Sequence, residues 1–353
     1  MTEKTGHIGK AIETVAAARA DRYHTPGHKG ELDARDLTEL GTGGELFPAD
    51  AIERAERDTA ALYGVRKMLF LTNGASQGIK AALWCFRGKK VLYAPGAHRA
   101  FTEGCELAGI EAVPVLRAGE RDASGLVYTC GCEKLPLPLT LADAERALCD
   151  HPNAAALFVT SPDYLGRVAD RRIAELCRNK GVALIADAAH GAHFAFAPGL
   201  SAFAFDTVAD FVTLSAHKTL GAYTQSALLA VNTPAYFDPV DGALRLLGTT
   251  SPNYGMLARL ENSVSEAAGH AQEYKRLRAF GERVRQTANV LQNTDYTRLC
   301  VRPASGKAQE AFAALAKQGI LCEAVIEDFV VCILTPYDGD GKLERLRRAL
   351  CAL

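Results

Sequence analysis

The sequence predicts an α/β protein, with a mostly parallel sheet covered by helices on both faces and a smaller α/β unit behind it. Three observations predict this. Short apolar runs recur at wide spacing from about Lys67, the stretches between most of them are amphipathic, and the texture turns helical after Pro252. The runs are Met68 to Leu71, Val91 to Ala94, Ala112 to Leu116, Ala156 to Thr160, Ala183 to Ala186 and Phe211 to Leu214. None alternates with polar residues, as expected of strands buried on both faces of a parallel sheet. Between them, a stretch such as Ala169 to Cys177 puts Ile173, Leu176 and Cys177 on one helical face. Ala227 to Val231 adds a further strand, a candidate for antiparallel pairing.

From Tyr254 to Leu291 the residues favour a long connecting helix, with Gly255, Gly269 and Gly281 as the points where it can bend. The tail offers a helix near Ala308 to Gln318, a strand near Phe329 to Leu334 and a last helix from Gly341 to Leu353. The first residues carry two dense Gly/Pro turns, His24 to Gly30 and Gly41 to Gly44, and read as an arm. The expected division is 1–48 for the arm, 49–253 for the large domain, and 254–353 for the connecting helix and small C-terminal domain.

Bulk composition narrows the function. In 353 residues, 40 basic and 41 acidic side chains nearly cancel, so no net field argues for nucleic acid, an anionic membrane or a polyanionic substrate. The N-terminus lacks a signal-peptide pattern and no segment approaches a transmembrane span, which makes the cytoplasm the expected location. The 10 cysteines are scattered, with only Cys130 and Cys132 close together, so neither a disulfide framework nor paired zinc ligands are expected.

The residues that carry chemistry follow the apolar runs. Lys218, in Ser215-Ala216-His217-Lys218-Thr219, sits just past a strand, where ligands of open parallel sheets bind. A partly desolvated cleft there makes such an amine easier to deprotonate, although a lysine in this position is also compatible with a plain surface residue. Asp187 ends another strand and leads into Ala188-Ala189-His190-Gly191-Ala192-His193. It can hold a protonated pyridine nitrogen, join His190 and His193 as a metal ligand, or sit in an ordinary turn. Thr72-Asn73-Gly74-Ala75-Ser76-Gln77-Gly78 precedes a helix and suits an anion such as a phosphate, but matches neither a Walker A loop nor a GxGxxG fingerprint. His98 follows the strand at Val91 and can stack on a flat ring or be a loop histidine. All four segments fall at one edge of the expected sheet.

Taken together, Thr25-Pro26-Gly27-His28-Lys29-Gly30, Thr72 to Gly78, Asp187 to Phe194, Ser215 to Thr219 and Thr250-Ser251-Pro252-Asn253-Tyr254 make a chain that resembles the bacterial ornithine/lysine/arginine decarboxylases of the aspartate-aminotransferase-like fold (fold type I of pyridoxal-phosphate enzymes). The resemblance implies pyridoxal 5'-phosphate as cofactor, bound through its phosphate by Ala75, Ser76 and Gln77 with help from Ser215 and His217. It implies that His98 stacks on the ring, Asp187 pairs with its nitrogen, His190 lies near its phenolic oxygen and Lys218 holds the cofactor as a Schiff base. It further implies a homodimer with shared active sites, each receiving Thr250 from the partner subunit.

Two departures stand out: Pro162-Asp163-Tyr164-Leu165-Gly166 where the family commonly has Pro-Thr-Tyr, and Ala216 for the usual threonine. The resemblance also implies a longer chain, with a further C-terminal domain expected beyond the helix that carries Leu343, Leu346 and Leu350. The expected activity is decarboxylation of lysine, ornithine or arginine. Another reaction on the same cofactor, such as transamination or elimination, and a non-catalytic cofactor-binding homologue are the alternatives.

Overall fold

The computed structural model describes residues 6–18, 20–23, 25–37, 50–115 and 137–353. His24, the Gly41 to Gly44 turn, Leu116, Cys130 and Cys132 fall outside the described residues. In chain order the elements are α1 (His7–Ala17), α2 (Ala51–Tyr63), β1 (Lys67–Leu71), α3 (Gly74–Trp84), β2 (Lys90–Tyr93), α4 (Arg99–Ala108), β3 (Glu111–Pro114) and α5 (Leu141–Asp150). Next come β4 (Ala156–Thr160), α6 (Ile173–Lys180), β5 (Ala183–Asp187), β6 (Phe211–Leu214), α7 (Ala216–Thr219), β7 (Ala227–Val231) and α8 (Phe237–Leu247). The C-terminal part holds α9 (Tyr254–Gly269), α10 (Ala271–Arg285), β8 (Arg298–Val301), α11 (Ala308–Lys317), β9 (Ala324–Ile326), β10 (Phe329–Ile333) and α12 (Asp340–Leu350).

The main sheet has seven strands in the order β1-β7-β6-β5-β4-β2-β3. Only β7 runs against its neighbours, pairing antiparallel with both β1 and β6; the other pairings are parallel. The uninterrupted apolar strands have a simple cause: alternate residues enter different cores. In β4, Leu157 and Val159 join one core while Ala156 and Phe158 join the other. In β5, Leu184 and Ala186 face Ala183 and Ile185 across the sheet in the same way. On the first face α1, α2, α5, α6 and α9 contribute buried residues, and on the second α3, α4 and α8 do. Each fully buried Leu, Ile or Phe stabilises this arrangement by about 1.5–3 kcal/mol before entropy is counted.

The expected single connecting helix is two helices, broken after Gly269 at His270, whose backbone leaves helical geometry at φ −90° and ψ 23°. The break lets the apolar face change partner. Leu257, Leu260, Val264 and Ala267 of α9 pack on the main sheet. Tyr274, Leu277, Phe280 and Val284 of α10 pack instead with Leu299, Val330 and Leu343 around the small antiparallel sheet β8-β10-β9. Of that sheet, only β10 was legible in the sequence.

The first residues contain a helix that the reading of an arm does not include. Ile8, Ala11 and Ile12 of α1 are buried in the first core. The buried carboxylate of Glu261 on α9 accepts from the N–H groups of His7 at 2.6 Å and Ile8 at 3.0 Å, so α9 caps the start of α1.

Candidate active site

β1, β2, β4, β5 and β6 all point the same way, and the loops beyond their carboxyl ends meet around a cavity of about 280 Å3. Its lining includes Ala75 and Ser76 after β1, His98 after β2, Thr160 and Tyr164 from the end of β4, Asp187, Ala189 and His190 from β5, and Ser215, His217 and Lys218 after β6. A crevice beyond the carboxyl edge of an open α/β sheet is where such folds bind ligands.

At one end lies the start of α3. Gly74 sits in the left-handed region at φ +71°, which turns the chain from β1 directly into the helix. The Asn73 side chain makes no capping bond, so the first turn presents donors toward the cavity through Ala75 and Ser76. Gly78 lets this helix lie close to the sheet: a Cβ there would meet Leu71 Cδ1 at 2.7 Å and Thr213 Cγ2 at 3.0 Å. Gln77 takes a different part from the expected one. Its Oε1 accepts from the Asn73 N–H at 3.1 Å, and the residue is outside the cavity lining.

His98 caps α4, its Nδ1 accepting from the Ala100 N–H at 3.1 Å, and this fixes the ring at the cavity wall. Opposite, Asp187 is 3 % exposed and accepts from the Ala189 N–H at 3.1 Å. Burial pushes its carboxyl pKa up, and Ala189, Lys218 and His98 pull it back only in part. Among the described residues it has no ion-pair partner, so the cavity floor is a buried acid suited to a cationic ligand atom.

Ser215 precedes the short α7, and His217 is held by its Nδ1–H, which donates to the Ser226 carbonyl at 3.0 Å. Lys218 is half-buried. Desolvation lowers its ammonium pKa; Asp187 and Glu323 oppose that, and Arg298 adds to it. Its Nζ lies 3.2 Å from His190 Nε2. His190 is held well below the ordinary imidazole range, first by burial and then by Arg298, Lys218, His193 and His98.

Two further residues lie outside the cavity lining. Thr250 is exposed and not part of this cavity within the chain. His193, once an optional metal ligand, turns instead to Asp295 Oδ1 at 3.2 Å and Thr297 Oγ1 at 3.1 Å. Among the described residues no group of three or more His, Cys, Asp or Glu could hold a metal ion.

Three residues near the cavity were not singled out as site residues. Thr160 keeps a buried hydroxyl without a partner. Tyr164 donates its hydroxyl to Glu323 at 2.7 Å and packs edge-on to the His190 ring. Arg298, wholly buried on β8, reaches His190 from the small sheet.

The chain is similar to known proteins in sequence and in fold. The chain is 26% identical to the arginine decarboxylase of Bacillus subtilis (strain 168), over 99% of this chain and 77% of that protein. Its fold matches the Francisella novicida lysine decarboxylase with a TM-score of 0.78 at 16% identity, covering 99% of this chain. It therefore spans only about 60% of that enzyme's length. It also matches a structure described as SPT with PLP, with a TM-score of 0.69 at 16% identity over 99% of this chain and 85% of the other. These likenesses show a fold-type I α/β architecture. Residues 31–313 match the major domain of the Orn/Lys/Arg decarboxylases, and the chain belongs to that family.

Proposed function

We propose that this protein is a pyridoxal-phosphate-dependent decarboxylase of a basic amino acid, with Lys218 as the cofactor-attaching lysine. The single observation that carries the reading is the convergence of Lys218, Asp187 and the α3 start on one cavity. Family membership and the arginine and lysine decarboxylase relatives support it.

The donor set fits the cofactor. The start of α3 at Ala75 and Ser76, with the Ser215 hydroxyl across the cavity, suits a phosphate. Asp187 has no cation in ion-pair contact among the described residues; burial disfavours its lone carboxylate, and a protonated ring nitrogen beside it would favour the ionised form again and take it as countercharge. His98 supplies a flat ring at the wall. Bound there, pyridoxal phosphate supplies an electron sink for the pair released when carbon dioxide leaves the α-carbon.

The protein's own residues supply the rest. Lys218 Nζ, its pKa lowered by burial, is the nucleophile for covalent attachment. The same nitrogen, or His190 Nε2 beside it, can carry the proton that replaces the lost carboxylate. Sheet, helices and Tyr164 wall the cavity and limit water.

A homodimer completes the reading. Thr250 and Ser251 are exposed and outside their own cavity, and the arm leaves Tyr23 92% and Leu32 85% exposed. Both features fit a site finished by the partner subunit.

The test uses lysine, ornithine and arginine labelled with 13C in the carboxyl group, incubated with the full chain and added pyridoxal phosphate. Labelled carbon dioxide together with the matching diamine or agmatine is expected. Keto-acid formation without labelled gas would replace decarboxylation by transamination, and no turnover of any amino acid would leave a cofactor-binding protein.

A further inference from the structure

Arg298 opens β8, lies 108 residues beyond His190 in sequence and is 0% exposed. Burying a guanidinium is costly unless it is paired, yet among the described residues no carboxylate makes an ion pair with it. Its Nη2 meets His190 Nδ1 at 3.0 Å, its Nη1 reaches the Tyr164 carbonyl at 3.4 Å, and its Nε has no partner. The guanidinium carbon lies 5.8 Å from the centre of the Tyr164 ring. An apolar side chain would fill this space at less cost, so the polar contacts call for an explanation.

We propose that Arg298 is a positioning residue that acts through His190: by donating to Nδ1 it makes Nε2 the nitrogen that holds the ring proton, facing Lys218 Nζ. The argument is one of donors and acceptors. Arginine can only donate, so Nδ1 must offer its lone pair. A neutral imidazole has one N–H, and it then lies on Nε2, 3.2 Å from Nζ. That N–H finds an acceptor only if Nζ is the free amine; an ammonium would set donor against donor. Arg298 thus biases the reactive lysine toward its nucleophilic form from the far side of an imidazole.

The surrounding charges agree with this order. Around His190 stand Arg298, Lys218, His193 and His98, and all disfavour an imidazolium. Around Lys218 stand Asp187 and Glu323, which favour the ammonium, and Arg298, which opposes it. Burial sides with Arg298 in both cases.

The inference rests on Lys218 being the reactive amine, so its test needs neither cofactor nor turnover. Full-length, cofactor-free protein labelled with 15N in histidine is followed by NMR, and the His190 signals are identified by their loss in His190→Asn. The expected state is neutral with the proton on Nε2 from about pH 6 to 8. In parallel, Lys218 is labelled with acetic anhydride across pH and quantified by peptide mass spectrometry.

Arg298→Gln keeps an amide donor for Nδ1 and loses the charge. It should preserve the tautomer and most of the wild-type labelling midpoint, so that loss of the charge alone moves the midpoint less than loss of the donor does. Arg298→Met should release the tautomer and move the labelling midpoint up by about half a pH unit or more, roughly a threefold drop in reactivity at fixed pH, and Arg298→Lys should recover part of the midpoint. A wild-type His190 that carries its proton on Nδ1, or is an imidazolium at neutral pH, overturns the proposal without any variant. So does a labelling midpoint that is unchanged in Arg298→Met, or one that shifts as far in Arg298→Gln, with its tautomer kept, as it does in Arg298→Met. Either failure would leave the decarboxylation assay untouched, and a failed decarboxylation assay would leave these measurements standing.

Discussion

An acid, three imidazoles and an amine share the cavity, and burial disfavours the charged form of Asp187, His190 and Lys218 alike. For His190 this has a sign that can be worked out. Its folded-state pKa lies below the unfolded value, so as pH falls through about 6.5 the unfolded chain takes up a proton that the folded chain refuses. Stability is present above that point and declines below it by about 1.4 kcal/mol per pH unit for one such group. Urea unfolding at pH 7 and pH 5 should show the cofactor-free wild type losing about 2 kcal/mol more than His190→Asn. Equal losses in the two proteins would remove His190 from the set of buried neutral groups.

In the proposed reading Asp187 serves chemistry more than retention, since the α3 start and Ser215 would offer separate anchorage. Asp187→Asn is expected to keep bound pyridoxal phosphate by absorbance while losing about 100-fold or more in rate, on the order of 3 kcal/mol in the barrier. Near-normal turnover in that variant would count against the assignment. Residues of this kind were legible because each directly follows an apolar run: Asp187, Ser215 and Lys218 inherit their position from the strand before them. Arg298 was not legible. It opens a four-residue strand after a polar loop, and arginines are mostly exposed, so nothing local marks it as buried beside a site far back in the sequence.

At the scale of elements, strands with both faces buried announced themselves as continuous apolar runs, and β1 to β7 fall within a residue or two of expectation. β7, a candidate for antiparallel pairing from the sequence, pairs antiparallel on both sides. β8 and β9 were missed because they are short and one of them is polar at its start. α1 was missed because its apolar face is only Ile8, Ala11 and Ile12, beside a segment dense in Gly and Pro. Its stability depends on α9, and Glu261 is the contact that can be removed. Glu261→Ala leaves the His7 and Ile8 N–H groups without their carboxylate and should cost about 1–2 kcal/mol. Limited proteolysis should then cut first near the arm. An unchanged denaturation midpoint and cleavage pattern would show that α1 is held by its apolar face alone.

At the scale of the whole molecule, the two sheets share no strand; the N–H groups of Thr294 and Asp295 before β8 donate to the Gly166 carbonyl beyond β4, and side chains make further links. His193 beyond β5 bonds Asp295 and Thr297 before β8, and Arg298 continues the link to His190. The site therefore depends on how the small sheet is seated. If the homodimer proposed above is correct, it depends on a second chain as well. Mixing Lys218→Ala with a protein altered at both Thr250 and Ser251, each inactive alone, should restore part of the activity, because a hybrid dimer contains one site with both halves intact. An active species that stays monomeric by light scattering at assay concentration would contradict the shared site.

The central claim is that Lys218 attaches pyridoxal phosphate in the cavity beyond β6. It is tested most directly by reducing the cofactor-loaded full chain with borohydride and mapping the modified peptide by mass spectrometry. The account predicts a single stable adduct on Lys218, absent from Lys218→Ala. An adduct on another lysine, or none at all in a preparation saturated with cofactor, would contradict it.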